Sequence, residues 1–290
     1  MNPKVESFLH EATSTFSHVV YDHDGGHAAI IDPVMDYDAP TARTAFDSAQ
    51  RLLDFVRAHD LTVDWILETH AHADHLSAAA WLRGHTGARV AIGRGITRVQ
   101  ERFREVFHLG DGFAVDGRQF DHLFDDGDRF GIGTLSGRVI ATPGHTDDSL
   151  TYVVGDAAFV GDTLFAPDTG TARADFPGGD AATLYRSIQR LFELPGDTRV
   201  FLCHDYAPDG REPSAETTID AQRERNVHLA GDVGEAAFVR MRETRDAGLA
   251  APKLILPSLQ VNIRAGGLPE PEANGVRYLR LPLNHVGSGA

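Results

Sequence analysis

Thr69-His70-Ala71-His72-Ala73-Asp74-His75 packs three imidazoles and a carboxylate into one short run. No structural role needs that density. Imidazole suits zinc and iron, and a carboxylate adds a charge-neutralising ligand. The run follows an apolar stretch, Val63 to Leu67, and precedes a helical pattern. Such a strand end is where α/β folds put chemistry. The open questions at this level are which metal is held, and for what reaction.

Upstream, residues 15–21 and 28–31 are apolar runs split by Asp24-Gly25-Gly26, a hairpin pattern closed by Asp32-Pro33. Ala45, Phe46, Ala49, Leu52, Leu53 and Val56 predict an amphipathic helix within residues 41–59. After the histidine run the pattern predicts a helix from His75 to Arg83, capped by Asp74 and stopped by Gly84. Residues 89–92 read as a strand and 95–104 as a helix. Strands are expected over 120–124, 135–142, 149–153, 157–160 and 200–203. Helices are expected over 180–192, 214–230 and 234–247, and the tail from Pro252 reads as extended pieces and turns. This order predicts two α/β halves packed sheet on sheet with helices outside. One domain is expected over residues 1–290, its core at about 15–210 and residues 211–290 packed on it.

At 290 residues the chain can bury a sizeable core. Its formal net charge of −15 argues against a nucleic-acid partner, since phosphate binding needs a basic face. It leaves room for a small anionic substrate held by a few local Arg residues. The single cysteine, Cys203, excludes an intramolecular disulfide and a cysteine-based zinc site. Residues 1–18 lack a basic segment followed by an apolar run, and no window holds 18 apolar residues. Neither a signal peptide nor a membrane span is therefore expected, and the cytoplasm is the expected compartment. The oligomeric state stays open, a homodimer being one option.

Three further metal-capable residues follow apolar runs. His145 lies in Ala141-Thr142-Pro143-Gly144-His145-Thr146, Asp162 in Phe159-Val160-Gly161-Asp162-Thr163, and His204 in Phe201-Leu202-Cys203-His204-Asp205-Tyr206. Alone, a His after a strand or a Gly-Asp pair is ordinary. Strands that end at one edge can bring such side chains together, and with the 70–75 run the joint pattern points to metal.

The set His70-x-His72-x-Asp74-His75, His145, Asp162 and His204 resembles the metallo-β-lactamase superfamily over roughly residues 15–210. The resemblance implies a four-layer αββα sandwich with the metal at one edge. Three stretches are similar to the persulfide dioxygenases, also called sulfur dioxygenases, and to their bacterial branch: residues 161–176, which contain Ala172-Arg173-Ala174-Asp175-Phe176; His204-Asp205-Tyr206; and Pro257-Ser258-Leu259-Gln260-Val261-Asn262-Ile263-Arg264. That resemblance implies oxidation of glutathione persulfide by O2 to glutathione and sulfite at one Fe(II) per chain. By the same resemblance His70, His145 and Asp162 are the iron ligands, a facial two-His, one-carboxylate set of the kind non-haem oxygenases use. His72, Asp74, His75 and His204 then surround the iron without binding it. In dinuclear relatives their equivalents complete two zinc sites.

Candidate substrate contacts are Arg173, Tyr206, Arg225 and Lys253. Arg173 can meet a carboxylate as a fork, or pair with Asp175 or Asp168. The related glutathione thioesterases use a tyrosine at the place of Tyr206. The rival reading is a glyoxalase-II-like hydrolase of S-lactoylglutathione, with two zinc ions and all seven metal-capable residues as ligands. Against that rival, the tail over residues 254–282 reads as extended rather than helical.

Overall fold

Along each central strand, successive side chains are buried on opposite faces, because strand residues alternate in direction. The computed structural model describes residues 2–284, so residue 1 and residues 285–290 of the expected domain lie outside the described residues. The first half runs through β1 (Lys4–His10), β2 (Thr15–Tyr21), β3 (His27–Ile31), β4 (Val34–Asp38), β5 (Arg43–Ala45), α1 (Asp47–Ala58), β6 (Thr62–Leu67), β7 (Leu76–Ser77), α2 (Ala79–Thr86), β8 (Arg89–Gly93), α3 (Ile96–Val106) and β9 (His122–Phe124). The second runs through β10 (Arg129–Ile132), β11 (Leu135–Ala141), β12 (Leu150–Val154), β13 (Ala157–Phe159), α4 (Ala181–Leu191), β14 (Arg199–Phe201), β15 (Glu216–Thr218), α5 (Ile219–Arg225), α6 (Glu235–Asp246) and α7 (Ile255–Asn262).

Two six-stranded sheets result, ordered β1-β2-β3-β6-β8-β9 and β10-β11-β12-β13-β14-β15, with a small β5-β4-β7 sheet beside them. In β3, Ala28 and Ile30 face a core shared with Leu52 of α1, Leu82 of α2 and Phe103 of α3. Their neighbours Ala29 and Ile31 face the second sheet, where Val139, Tyr152 and Phe159 meet them. On the far side Ile140, Val153 and Ala158 pack against Leu184 and Ile188 of α4 and Phe238 of α6. The layers are therefore helix, sheet, sheet, helix, as expected. Each fully buried aliphatic side chain contributes roughly 2 kcal/mol.

The strands β1, β4 and β10 were not expected, and four expected elements differ from the sequence reading. The helix expected over 41–59 starts at Asp47, after β5. The helix expected from His75 begins at Ala79 and runs past Gly84 to a left-handed stop at Gly87. Leu76–Ser77 instead pairs with β4, and Asp74 caps nothing because its carboxylate faces imidazoles. The helix expected over 214–230 is split, because β15 extends the second sheet and Thr218 caps α5 through Ala221 N. Finally, α7 stands where extended chain was expected. Pro257 lies in its first turn, where a missing N–H costs nothing.

Two buried histidines outside the metal region make stability depend on pH. His18 lies between Ser7 Oγ (2.9 Å) and the Leu202 carbonyl (3.0 Å), so one ring nitrogen donates and the other accepts. The His228 Nδ1 accepts from Thr171 N at 3.0 Å. Burial pulls each down to about 4. The neutral rings contribute fully above pH 6.5, and that contribution is lost as pH falls from there toward 4. Thermal unfolding should therefore show Tm falling across this window, and His228→Asn should flatten the fall.

Candidate metal centre

The donors follow the carboxyl ends of strands that share one edge of the sandwich. His70 to His75 follow β6, His145 follows β11, Asp162 follows β13 and His204 follows β14. Asp32, which follows β3, joins them. It accepts from Thr69 N (2.7 Å), Thr69 Oγ1 (2.8 Å) and His72 Nε2 (3.0 Å). The two sheets are tied at this edge by Leu150 N to Thr69 O (2.8 Å) and Phe16 N to Cys203 O (2.7 Å). Glycine matters at Gly161, where φ is +51° and an added Cβ would come within 2.6 Å of Thr69 Oγ1. A side chain there would push Asp162 off the site.

Two groups of donors form side by side. The atoms of His70, His145 and Asp162 lie within 4.8 Å of one another, as do those of His72, Asp74, His75 and His204. Asp162 faces both groups. Its Oδ2 is 3.5 Å from His145 Nε2 and 4.0 Å from His70 Nε2, and its Oδ1 is 3.4 Å from His204 Nε2. Asp74 Oδ2 is 3.2 Å from His204 Nε2. These separations are near the roughly 3.3 Å edge of a tetrahedron whose metal–ligand bonds are about 2.0–2.1 Å.

The outer nitrogens of His70, His72, His145 and His204 are anchored while their inner ones face the site. His145 Nδ1 donates to the Arg173 carbonyl at 2.7 Å, and His204 Nδ1 to Ser14 O at 3.2 Å. His70 Nε2, His72 Nδ1, both His75 nitrogens, His204 Nε2 and Asp162 Oδ1 are buried and have no hydrogen-bond partner among the described residues. Orphaned donors of this kind are costly unless something binds them. Two imidazole-rich sets with carboxylates fit iron or zinc, so the residues present fit a metal.

Burial lowers His70 and His72 well below the imidazole range, helped by the neighbouring rings. Burial raises the Asp162 carboxyl, against the pull of His204 and His145. For Asp74 burial works upward, but His204 and His75 outweigh it and hold the carboxyl well below its usual range. Burial and then Asp32 push the Glu68 carboxyl well up, and Ser77 Oγ donates to it.

A cleft of about 1000 Å³ opens onto this edge, with His145 and Asp162 in its lining. Tyr206 lies on the wall, its ring parallel to His204 at 5.8 Å, and Lys253 is at the mouth. Arg173 also lines it, but its guanidinium is committed to Asp175 (2.6 and 2.7 Å) and the Ala250 carbonyl (2.7 Å). Arg225 is not in the lining, because the exposed end of α5 turns it away. Arg245 of α6 is there instead, in no ion pair among the described residues.

Sequence reasoning missed Asp32, Asp148 and Asn262. Asp148 accepts from Ala71 N at 2.8 Å. Asn262 donates to the carbonyls of His72 and His75 and accepts from Ser77 N, all at 2.8 Å. Asp32 stands after a strand, as the ligand candidates do, and that position was its only signal.

The comparisons with known proteins agree with this geometry. The sequence model of the metallo-beta-lactamase superfamily matches residues 11–204. The chain belongs to that superfamily. It is 52% identical over 99% of its length to a beta-lactamase hydrolase-like protein of Xylella fastidiosa, and it spans 66% of that protein. It is 46% identical to Glyoxylase B2 of Dictyostelium discoideum, over 98% of both chains. Identity to the mitochondrial persulfide dioxygenase ETHE1 of Bos taurus is 28%, over 87% of this chain and 84% of that one. Among solved structures, ETHE1 from Myxococcus xanthus is 32% identical, covering 91% of this chain and all of its own, with a TM-score of 0.73.

Asn262 yields a test. Asn262→Ala leaves three buried backbone groups without partners, and should lower stability by roughly 3 kcal/mol in denaturant unfolding. Metal content after purification should fall with it.

Proposed function

We propose that the chain is a non-haem Fe(II) persulfide dioxygenase acting on glutathione persulfide. The observation that carries this reading is the buried set His70, His145 and Asp162, two imidazoles and a carboxylate brought together, with His145 and Asp162 lining the cleft. That set is the facial arrangement of non-haem Fe(II) oxygenases, which leaves coordination positions open. The likeness to ETHE1 across most of the chain supports it. Bound there, iron would supply the one-electron chemistry that O2 needs and that side chains do not offer.

The protein's part is positioning. The Arg173 carbonyl fixes the His145 ring so that its Nε2 faces Asp162. Asp32 holds His72, and the Ser14 carbonyl holds His204, at the border of the site. Tyr206, Arg245 and Lys253 offer an aromatic face and two cations to a tripeptide with two carboxylates. Anchoring that end directs the terminal sulfur inward. Overall, glutathione persulfide, O2 and water give glutathione, sulfite and two protons. The outer sulfur gives up the four electrons that O2 accepts. The proposed compartment is the cytoplasm, where thiols are kept reduced.

A second reading has its own observation. His72, Asp74, His75 and His204 form a complete second donor set that shares Asp162. The likeness to Glyoxylase B2 supports a two-metal hydrolase of S-lactoylglutathione. The α6 and α7 helices also remove the argument that this chain lacks a helical C-terminal part.

Metal analysis with an oxygen electrode separates the two. Protein from iron-supplied cells should carry about one iron per chain and take up O2 only when persulfide is added. Two zinc ions per chain and rapid cleavage of S-lactoylglutathione without O2 uptake would overturn the dioxygenase reading. In the same preparations, His145→Ala or Asp162→Ala should abolish iron retention, whereas His204→Ala should keep much of it. Equal loss in all three would point to a dinuclear centre.

A further inference from the structure

A buried ion pair lies on α6, with its Arg242 in the wall of the cleft. Arg242 and Asp246 are 2% and 3% exposed, and Arg242 Nη2 donates to Asp246 Oδ1 at 2.6 Å. Both also grip the loop that follows Asp162. Arg242 Nη1 donates to the Thr171 carbonyl (2.8 Å) and approaches Thr171 Oγ1 (3.2 Å), while Asp246 Oδ2 accepts from Ala174 N (2.9 Å). Between these two grips lies the carbonyl of Arg173, the acceptor for His145 Nδ1 at 2.7 Å.

We propose that Arg242 and Asp246 are positioning residues for the metal centre, clamping residues 171–174 so that the Arg173 carbonyl fixes the orientation and tautomer of His145. The inference rests on His145 being a metal ligand, which both functional readings require. A buried ion pair is weak evidence for stability, since well-packed apolar residues often serve as well or better. What an apolar pair cannot supply is the pair of directed bonds to Thr171 O and Ala174 N. Groups that orient a ligating histidine typically change metal affinity by roughly 10- to 100-fold when removed. The clamp lies beyond residues 11–204, so this chain draws the support of a superfamily ligand from its C-terminal helices.

Cobalt(II) is the probe, because its visible absorption reports ligand geometry. Its affinity is measured by chelator competition on the purified full chain. Asp246→Asn and Arg242→Lys should weaken Co(II) binding about tenfold and alter the absorption bands. The decisive protein is the double variant Arg242→Met, Asp246→Leu. It should recover Tm toward the parent value yet keep the weakened affinity and altered spectrum. Leu52→Ala, in the opposite helix layer, should lower Tm and leave both metal readouts at parent values. Parent-like Co(II) affinity and spectrum in the double variant would overturn the clamp. His145→Ala distinguishes a deeper failure: if it too leaves Co(II) stoichiometry, affinity and absorption bands at parent values, the ligand assignment itself falls.

Discussion

The metal edge depends on one buried carboxylate. Asp32 follows β3, one of the two central strands of the first sheet, and accepts three bonds from the run that follows β6: Thr69 N, Thr69 Oγ1 and His72 Nε2. Because β3 and β6 are parallel neighbours, their carboxyl ends lie together, and Asp32 meets Thr69 without any detour of the chain. Leu150 N then reaches Thr69 O from the second sheet. The residue that Asp32 holds is thus also the hinge between the sheets. Gly161 passes against the same threonine, which sets where Asp162 enters. Asp32 is 2% exposed, and each bond it accepts offsets part of the hydration its carboxyl oxygens lose.

This edge also shapes the energetics of the whole chain. Several imidazole nitrogens and a carboxylate oxygen face one another there without hydrogen-bond partners among the described residues. Such a cluster costs stability in proportion to its dryness. A cation bound among the donors turns that cost into binding free energy, and metal binding is then coupled to folding. The supports found around the site have this in common: Asp32, Asp148, Asn262 and the Arg173 carbonyl bond to the backbone or outer nitrogens of the donors and leave the inner atoms open.

The layer order and the donor candidates were legible in the sequence because both leave periodic or local traces. Apolar runs of strand length recur, and several are followed within a few residues by His or Asp. The β7 strand was illegible because Ser77 is held by Glu68 and by Asn262, the latter far away in sequence, and these bonds override the helical pattern after His75. The α7 helix was illegible because Pro257 reads as a breaker unless the helix start is known. Arg225 was credited with a cleft position that Arg245 occupies, since both are basic helix residues and only packing tells them apart. Asp32 read only as the close of a hairpin, and such an aspartate carries no mark of the backbone it will bind.

Both donor sets are shaped to the spacing of a coordination sphere, and Asp162 is shared between them. The superfamily's residues therefore fix that metal can be held, but hardly what it is used for. Selectivity has to come from the walls around the edge. Those walls are built in part by residues beyond 204, the end of the superfamily match: Tyr206, Arg242, Arg245, Leu249, Lys253 and Leu254 all line the cleft. The same C-terminal helices supply Asn262 behind the histidine run and Asp246 behind the loop of Arg173. A change of wall on this framework would thus shift the metal loops as well, so substrate choice and metal geometry are coupled through the same short helices.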